Sequence, residues 1–575
     1  MPVRSRPHWL IAWASWRSCG GRLPHQASAA WLGACRPPMR WQSLDLRARL
    51  VLPRHAVRLG AGFGAAFKAT AMSRSPAATE RAWPAPPQLI VLFAAAQIVL
   101  WTLAPALTHR APPIDVAEGY MWGREWVIAT YKHPALPSWC LEGSRLLTGT
   151  TGWPAYLTSQ LFIATTFGLV FMLGCDMMGQ ERAAAGTLLL AGVTYYMWPT
   201  PEFNHNIAST PFWAGVVLML WRAVERGGMV WWGLLGLFAA GAFYAKLSAV
   251  FLLVPVAAWI LWDDRARARL PSPGPWLGLV LFAMLLAPLV VWLARHDLTP
   301  LRYAARRSLG LPVYQLPLFL LDTVANVAGI VVMLVFAKVL GPWSKASLEQ
   351  GTRQATEGEI SLRAKRFLLV FTLGPLALAV LAALLSHAGL KTAWGSSMFN
   401  TAGLLAMVLT AERYSTTALR RIALGAAVLV TVVPLGYAVL VTFDAHRSSG
   451  ASLRVNWPQS AIAERLGAVW ARDTGQPLRI VAGSPWLAGL VGLSHKDAPS
   501  ILTNGDLTLS PWISKSRIDR EGLLAVWDAG NNVIPPALLP LIETARSGEE
   551  KFSFGGDGEH GVLIGYAVVA PKASR

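Results

Sequence analysis

Residues 88–107 read Gln-Leu-Ile-Val-Leu-Phe-Ala-Ala-Ala-Gln-Ile-Val-Leu-Trp-Thr-Leu-Ala-Pro-Ala-Leu and form the first long apolar run of the chain. A helix of about 20 apolar residues is long enough to cross the hydrocarbon core of a bilayer. Similar runs recur along most of the 575 residues, of which 54% are hydrophobic and only 14% charged. Soluble domains carry about 25% charged residues. The sequence therefore predicts a mainly α, polytopic membrane protein.

The apolar runs predict about eleven membrane spans. The stretch 229–262 holds two of them only if they meet at a tight turn near Lys246, because it is short for two complete crossings. The approximate ranges are 88–107, 154–178, 183–199, 207–223, 229–244, 246–262, 276–294, 317–340, 367–387, 395–412 and 421–442.

The positive charge of the chain is concentrated at its N-terminus. Residues 1–71 hold half of the net charge of +20, in an Arg-, Trp- and Pro-rich stretch without sustained periodicity. We interpret residues 1–87 as a basic extension that is either disordered or mis-annotated, and we expect translation to begin at or near Met72. A basic balance located in a tail and in membrane loops indicates orientation in a bilayer rather than binding to nucleic acid.

Loop charges predict the orientation. With the N-terminus inside, the basic 341–366 loop falls on the cytoplasmic side, in agreement with the positive-inside tendency. The first external loop, residues 108–153, and the C-terminal residues 443–575 then face outward, towards the periplasm, if the membrane is a bacterial inner membrane. The transmembrane domain in this scheme spans residues 88–442.

Residues 443–575 predict a small extramembrane α/β domain. They carry equal numbers of basic and acidic residues, and short apolar stretches at 478–483, 523–528 and 561–569 are typical of buried strands. The domain has no Gly-rich phosphate loop or triad motif, so no chemistry is assigned to it.

The cysteines of the chain show no metal-ligand spacing and predict no disulfide framework. They are Cys19, Cys35, Cys140 and Cys175.

A polar segment follows the first span. It reads Pro-Ile-Asp-Val-Ala-Glu-Gly-Tyr-Met-Trp-Gly-Arg-Glu-Trp over residues 113–126. Asp115 and Glu118 share a helix face with Trp122 if a helix begins at Asp115. A carboxylate beside an aromatic wall can be tuned as a general base, although interfacial helices also expose acids beside tryptophans without any catalytic role.

A basic pair comes next, in the run Tyr-Lys-His-Pro over residues 131–134. Lys132 and His133 can present cationic donors to a phosphate. His133 could instead be a metal ligand or a structural donor, and its spacing identifies no metal. A requirement for a divalent metal ion therefore stays open, and the sequence identifies no cofactor.

Other cations lie where membrane proteins usually avoid them. The outward loop 295–316 contains Arg302, Arg306 and Arg307, whose guanidinium groups suit phosphate; contact with lipid headgroups is the alternative. Lys246 lies within a long apolar stretch, where a charge is costly unless it faces a cavity or reaches the interface. Binding of a donor phosphate and snorkelling are both compatible with that position.

A third polar cluster, Asn-His-Asn at residues 204–206, lies at the outer end of a predicted helix. These side chains either cap the helix or contact sugar hydroxyls.

Together these motifs resemble bacterial family-39 glycosyltransferases, which are related to protein O-mannosyltransferases and to the aminoarabinose transferase that modifies lipid A. The polar segment and the Tyr-Lys-His-Pro run carry the most specific similarity. Weaker matches follow in order along residues 88–442: Pro-Glu-Phe-Asn-His-Asn at 201–206, Tyr-Ala-Lys-Leu-Ser-Ala at 244–249, Trp-Leu-Ala-Arg-His-Asp at 292–297 and Lys-Thr-Ala-Trp at 391–394.

The resemblance implies a GT-C type helical bundle with its active site on the outer face. Such enzymes transfer a sugar from a polyprenyl-phosphate donor to an acceptor lipid, glycan or protein with inversion at the anomeric carbon. It assigns the base to Asp115, with Glu118 as the second candidate. Lys132 and His133 match the positions that hold the donor phosphate or order the loop.

A polytopic transporter or lipid flippase is the alternative. It predicts internal repeats and ionisable residues deep in the spans, whereas the polar residues here cluster at the outer span ends. The sequence specifies neither the sugar nor the acceptor, nor the oligomeric state.

Overall fold

The computed structural model describes residues 83–309, 315–340, 359–387, 389–390, 392–446, 453–531, 534–554 and 561–572. Some predictions concern residues outside these ranges. They are the N-terminal extension up to residue 82, with the expected start at Met72, residues 310–314 of the outward loop, residues 341–358 of the basic 341–366 loop, and Lys391.

The described residues are mainly helical. The helices, in chain order, are α1 (Pro86–Thr108), α2 (Ile114–Arg124), α3 (Leu136–Thr148), α4 (Trp153–Met178), α5 (Gln180–Leu188), α6 (His205–Arg226), α7 (Met229–Ala245), α8 (Val250–Trp262), α9 (Asp264–Arg267), α10 (Pro273–Arg295), α11 (Thr299–Leu309), α12 (Leu316–Phe336), α13 (Leu362–Leu385), α14 (Ala402–Leu409), α15 (Thr416–Ala445), α16 (Gln459–Thr474), α17 (Pro485–Ser494), α18 (Lys515–Glu521) and α19 (Leu539–Ile542).

Within the described ranges, seven of these helices are long and apolar enough to cross a membrane: α1, α4, α6, α10, α12, α13 and α15. They are 21 to 30 residues long, which matches the thickness of a bilayer core. The predicted fold class, a mainly α polytopic membrane protein, is confirmed.

Four of the eleven predicted spans are shorter or broken helices. The stretch 229–262 forms α7 and α8, which meet at an extended Lys246 and a short 3-10 turn, so the predicted turn is present. The predicted span 183–199 is α5 followed by 3-10 turns. The predicted span 395–412 likewise begins as a 3-10 helix and continues as the short α14.

Glycines explain how the broken segments are buried. A Cβ on Gly192 would collide with the backbone of Gly329 in α12, and a Cβ on Gly403 in α14 would collide with the backbone of Gly186 in α5. Because these backbones touch directly, the non-helical turns lie inside the bundle. Irregular backbone is tolerated at membrane depth only when protein surrounds it.

The helix α6 is the most enclosed of the seven. Inside the protein, 89% of its apolar window is buried, against 11 to 50% for the other six. Its 22 residues span about 33 Å at 1.5 Å per residue. The two ends of α6 therefore lie at opposite ends of the bundle.

The C-terminal α/β domain contains a five-stranded sheet of order β2-β1-β3-β5-β4. Its strands are β1 (Ile480–Gly483), β2 (Ser500–Thr503), β3 (Leu523–Asp528), β4 (Arg546–Ser553) and β5 (Gly561–Val569). The first three are parallel, and β5 runs antiparallel between β3 and β4. The three predicted strands coincide with β1, β3 and β5. The pattern does not predict β2, which is four residues long, or the polar edge strand β4.

Candidate functional site

The polar segment after α1 forms the helix α2. Two prolines precede it, and Asp115 lies in its first turn, where a carboxylate interacts favourably with the helix dipole. The helix begins one residue before the predicted start at Asp115. Its C-terminal end is followed by Trp126 in the left-handed backbone region, with φ of 48°, which turns the chain towards the loop 127–135.

Asp115 is half-buried and held by the segment that precedes α6. Its Oδ2 accepts a hydrogen bond from Asn204 Nδ2 at 3.0 Å, and its backbone N–H donates to Glu202 Oε1 at 3.1 Å. Its second oxygen, Oδ1, forms no hydrogen bond with any residue in the described ranges. The carboxylate is thus oriented on one side and free on the other, as a general base requires.

Glu118 forms its hydrogen bonds with Lys132, unlike Asp115, which binds residues before α6. Both of its oxygens accept hydrogen bonds from Lys132 Nζ at 2.7 Å, and the Glu118 side chain is only 5% exposed. Burial disfavours the charged ammonium, but the Glu118 carboxylate outweighs that effect and raises the pKa of Lys132. Lys132 also lies 5.9 Å from the centre of the Trp122 ring, within cation–π range. Lys132 thus engages both oxygens of Glu118, and the assignment of the base to Asp115 or Glu118 stays a prediction.

The loop 127–135 closes on itself and contacts α6. Thr130 N–H donates to the His133 carbonyl at 2.9 Å, and His205 Nε2 donates to the Pro134 carbonyl at 3.1 Å. The rings of His133 and His205 lie 4.0 Å apart. Burial, with help from His205 and the nearby lysines, holds the pKa of His133 well below its usual range. The ring contact with His205 attaches the loop to α6, and a role of His133 at a donor phosphate stays a prediction.

Asn204 caps α6, since its Oδ1 accepts from the backbone N–H groups of Asn206 and Ile207. The capping interpretation of this motif is therefore correct, and the same side chain also holds Asp115. Asn206 Oδ1 in turn accepts a hydrogen bond from Lys246 Nζ at 2.6 Å.

Lys246 is 7% exposed and lies at the break between α7 and α8. Within the described part of the chain it forms no ion pair with a carboxylate. An ammonium buried against an amide alone is unfavourable, so the position is suited to an anionic ligand. The hydrogen bonds from Asp115 through Asn204 and Asn206 connect this lysine to the candidate base.

The helix α11, which carries the three candidate arginines, lies beside the loop. Tyr303 packs its ring 5.7 Å from that of Tyr131, which brings α11 against the loop. Arg302, Arg306 and Arg307 are exposed, and Arg302 lies 4.0 Å from Asp297. Arg306 and Arg307 follow Tyr303 by three and four residues and so share its helix face. Neither forms a hydrogen bond or ion pair with a described residue.

Glu202 is a site residue that the sequence reasoning missed. Burial, followed by the nearby Asp115 carboxylate, raises the pKa of Glu202 above its usual range. The available signal was its place in the quoted run Pro-Glu-Phe-Asn, directly before the cap of α6. Only the structure shows that it contacts Asp115, 87 residues earlier in the chain.

Among the described residues, no group of three or more His, Cys, Asp or Glu side chains is arranged to hold a metal ion.

Residues 132–292 match the family model described as dolichyl-phosphate-mannose-protein mannosyltransferase. The match begins at Lys132, so it includes residues 132–135 of the loop, the residues 204–206 and Lys246, whereas Asp115 and Glu118 precede it. It confirms the predicted resemblance to this family over these residues and the predicted enzyme class, a membrane glycosyltransferase. No curated protein sequence matches the chain.

Two solved structures are similar to the chain. One is the crystal structure of ArnT from Cupriavidus metallidurans bound to undecaprenyl phosphate, with a TM-score of 0.48 and 14% identity, covering 83% of this chain and 98% of that one. The other is the oligosaccharyltransferase of Archaeoglobus fulgidus in complex with zinc and sulfate, with a TM-score of 0.34 and 12% identity, covering 81% and 72%. Neither TM-score is high enough to establish a shared fold by itself.

Proposed function

We propose that this membrane glycosyltransferase moves a sugar from a polyprenyl-phosphate donor to the hydroxyl of an acceptor lipid, glycan or protein, with Asp115 as the general base. One observation carries the assignment. Among the described residues, a carboxylate with one oxygen free of hydrogen bonds is linked, through Asn204 and Asn206, to a buried lysine that has no carboxylate partner there. A base for the acceptor and a cation for the donor phosphate are thus held in one rigid unit.

The proposed reaction is a single displacement. Asp115 takes the proton of the acceptor hydroxyl while the acceptor oxygen attacks the anomeric carbon. The bond from that carbon to the phosphate oxygen breaks on the opposite face, and the phosphate leaves with the electron pair, which inverts the anomeric configuration. The lysines at 132 and 246 stabilise the charge that develops on the leaving phosphate. General-base catalysis of this kind contributes about 10²- to 10⁴-fold.

We further propose that the reaction takes place on the outer face of the bacterial inner membrane. The support is the loop-charge asymmetry of the sequence, which puts the basic 341–366 loop inside. The C-terminal α/β domain contacts the helix that carries Asp115 (Arg124 Nη1 donates to the Gly492 carbonyl at 2.7 Å), so the domain would lie on the same face, in the periplasm.

The test is a transfer assay with the full chain in proteoliposomes. Radiolabelled aminoarabinose, mannose or glucose is supplied on undecaprenyl phosphate, with lipid A or envelope protein as acceptor. We expect label to become covalently attached to one acceptor, with release of undecaprenyl phosphate, and no transfer by Asp115→Asn. If label only crosses sealed vesicles, or if Asp115→Asn transfers at the wild-type rate, the proposal is wrong.

A further inference from the structure

The helix α2 has three occupied faces. Asp115 and Glu118 point to the site, and Gly119 and Gly123 lie against α3, where a Cβ on either would collide with α3 residues. The third face, with Ala117, Met121 and Arg124 at intervals of four and three residues, is buried against a different part of the chain. That part is α17 of the C-terminal α/β domain.

The contact between α2 and α17 is close because one residue of α17 is a glycine. A Cβ on Gly489 would lie 3.0 Å from Met121 Sδ and 3.4 Å from Ala117 Cβ. At the end of the same face, Arg124 Nη1 donates to the Gly492 carbonyl at 2.7 Å. This bond attaches the last turn of α2 to the C-terminal domain.

The segment before α2 is attached as well. The N–H groups of Arg110 and Ala111 both donate to the Val455 carbonyl, at 2.8 and 2.9 Å. Arg110 Nη1 donates to the Phe554 carbonyl at 2.8 Å, and Trp486 Nε1 donates to the Pro112 carbonyl at 3.4 Å. The C-terminal domain therefore holds α2 at both ends and along one face.

We propose that the C-terminal α/β domain positions the catalytic helix, with Gly489 and Arg124 as its positioning residues. The close approach at Gly489 sets the distance of α2 from α17, and hence the distance of the Asp115 carboxylate from the acceptor hydroxyl. This inference rests on the proposed function, because it assumes that Asp115 is the base. A displacement of a reacting group by about 1 Å can cost about 10²-fold in rate.

The test is the full-length variant Gly489→Val, whose added side chain pushes on Met121. We expect kcat to fall about 10- to 100-fold with the donor KM unchanged, because Lys246 lies at the break between α7 and α8, outside the contact. The double variant Gly489→Val with Met121→Ala makes room for the new side chain and should regain most of the lost kcat. A variant whose C-terminal domain is only less stable would not show a lower kcat together with an unchanged donor KM, and Met121→Ala would not restore its kcat.

The matched control is Gly467→Val in α16, the same substitution in the same domain. Its side chain would meet His495 and no residue of α2, so the melting temperature should fall while kcat stays at the wild-type value. If Gly489→Val does not accumulate, Arg124→Gln replaces it, with a smaller fall in kcat expected.

Wild-type kcat in folded Gly489→Val or Arg124→Gln overturns the inference, and so does an equal loss of kcat in Gly467→Val. An active Asp115→Asn overturns the proposed function instead.

Discussion

The two ends of α6 differ in how charged side chains are paired. They form ion pairs at one end, and their pairing is incomplete at the other. At the Arg226 end, the Asp176 carboxylate accepts hydrogen bonds from Arg222 and Arg226 at 2.6 Å each, and Arg363 binds Asp263 at 2.7 Å. At the His205 end, within the part of the chain that the structure describes, Lys246 has an amide partner only, and the Asp115 carboxylate keeps one oxygen without a hydrogen bond.

This difference indicates a structural role for the charges at the Arg226 end and a functional role for those at the His205 end. The ion pairs at the Arg226 end connect helices of the bundle, whereas the incompletely paired groups at the His205 end cost stability unless a ligand completes them. Sites that carry strain or unpaired charge of this kind are expected where activity is traded against stability. The comparison can be tested by replacing charges at both ends.

The largest contrast should be between Asp115→Asn and Asp176→Asn. We expect the first to lower kcat about 10²- to 10⁴-fold with little change in melting temperature. The second leaves two arginines near a neutral side chain and should lower the free energy of unfolding by about 3 kcal/mol, with kcat unchanged. Transfer kinetics and thermal melting of both variants provide the measurement. A fall in kcat for folded Asp176→Asn would mean that the two ends are not separate in function.

Lys246→Met should weaken binding of the donor and leave the stability of the protein equal or higher. Loss of a charge-assisted contact to the phosphate raises the donor KM about 10- to 100-fold, while removal of a buried ammonium that has no carboxylate partner among the described residues leaves stability equal or higher. Donor titration and thermal melting of the same preparation measure both effects. Lys246→Arg serves as a control that keeps the charge. An unchanged KM with reduced stability would make Lys246 a structural residue.

Lys132 and Glu118 can be separated by a pair of variants. Lys132→Met leaves the Glu118 carboxylate buried and unpaired, so we expect a loss of stability of about 3 kcal/mol. Adding Glu118→Met should restore stability, because neither charge then remains, but it should not restore transfer. Denaturant unfolding and transfer rates decide the outcome. Recovery of transfer in the double variant would show that the pair is purely structural.

Glu202 predicts a dependence of stability on pH. Its raised pKa means that the folded state binds a proton more tightly than the unfolded state, so its contribution to stability is lost as the pH rises above the ordinary carboxyl range. Glu202→Gln keeps the acceptor for the Asp115 N–H and cannot ionise. We expect the melting temperature of the wild type to fall more steeply with rising pH than that of the variant. Parallel curves would show that Glu202 is ionised in the folded protein.

The smallest effect is expected at α11. Arg306→Ala with Arg307→Ala removes exposed charges on the helix face that contacts the loop, so we expect the donor KM to rise about 2- to 5-fold at low salt. The increase should disappear at high ionic strength, because exposed charges are screened. Kinetics at two salt concentrations test this. An unchanged KM at low salt would assign these arginines to lipid headgroups.

Local sequence patterns were sufficient to predict the membrane helices and three strands of the C-terminal domain. Hydropathy predicts α1, α4 and α6 because the length of an apolar run is a local property. It does not predict that 183–199 and 395–412 break, or that Gly192 meets Gly329 and Gly186 meets Gly403, because these contacts join residues far apart in sequence.

The candidate site was predictable in its composition but not in its division of roles. The sequence identifies Asp115 and Glu118 as alternatives, because spacing on a helix cannot show which carboxylate a lysine will bind. The structure shows that their contacts differ: Lys132 engages both oxygens of Glu118, while Asp115 Oδ1 has no hydrogen bond from a described residue. The contact of Asp115 with Glu202 depends on how the helices assemble, and no short motif encodes it.

The support of α2 by the C-terminal domain has a consequence for biogenesis. The hydrogen bond between Arg110 and Phe554 joins positions 444 residues apart, which ribosomes translate in roughly 20 to 90 s at about 5–20 residues per second. The helix that carries the base is therefore synthesised and inserted well before the domain that steadies it. We expect a newly made chain to reach the membrane in an inactive form, and a product of interrupted synthesis to remain there without consuming donor lipid.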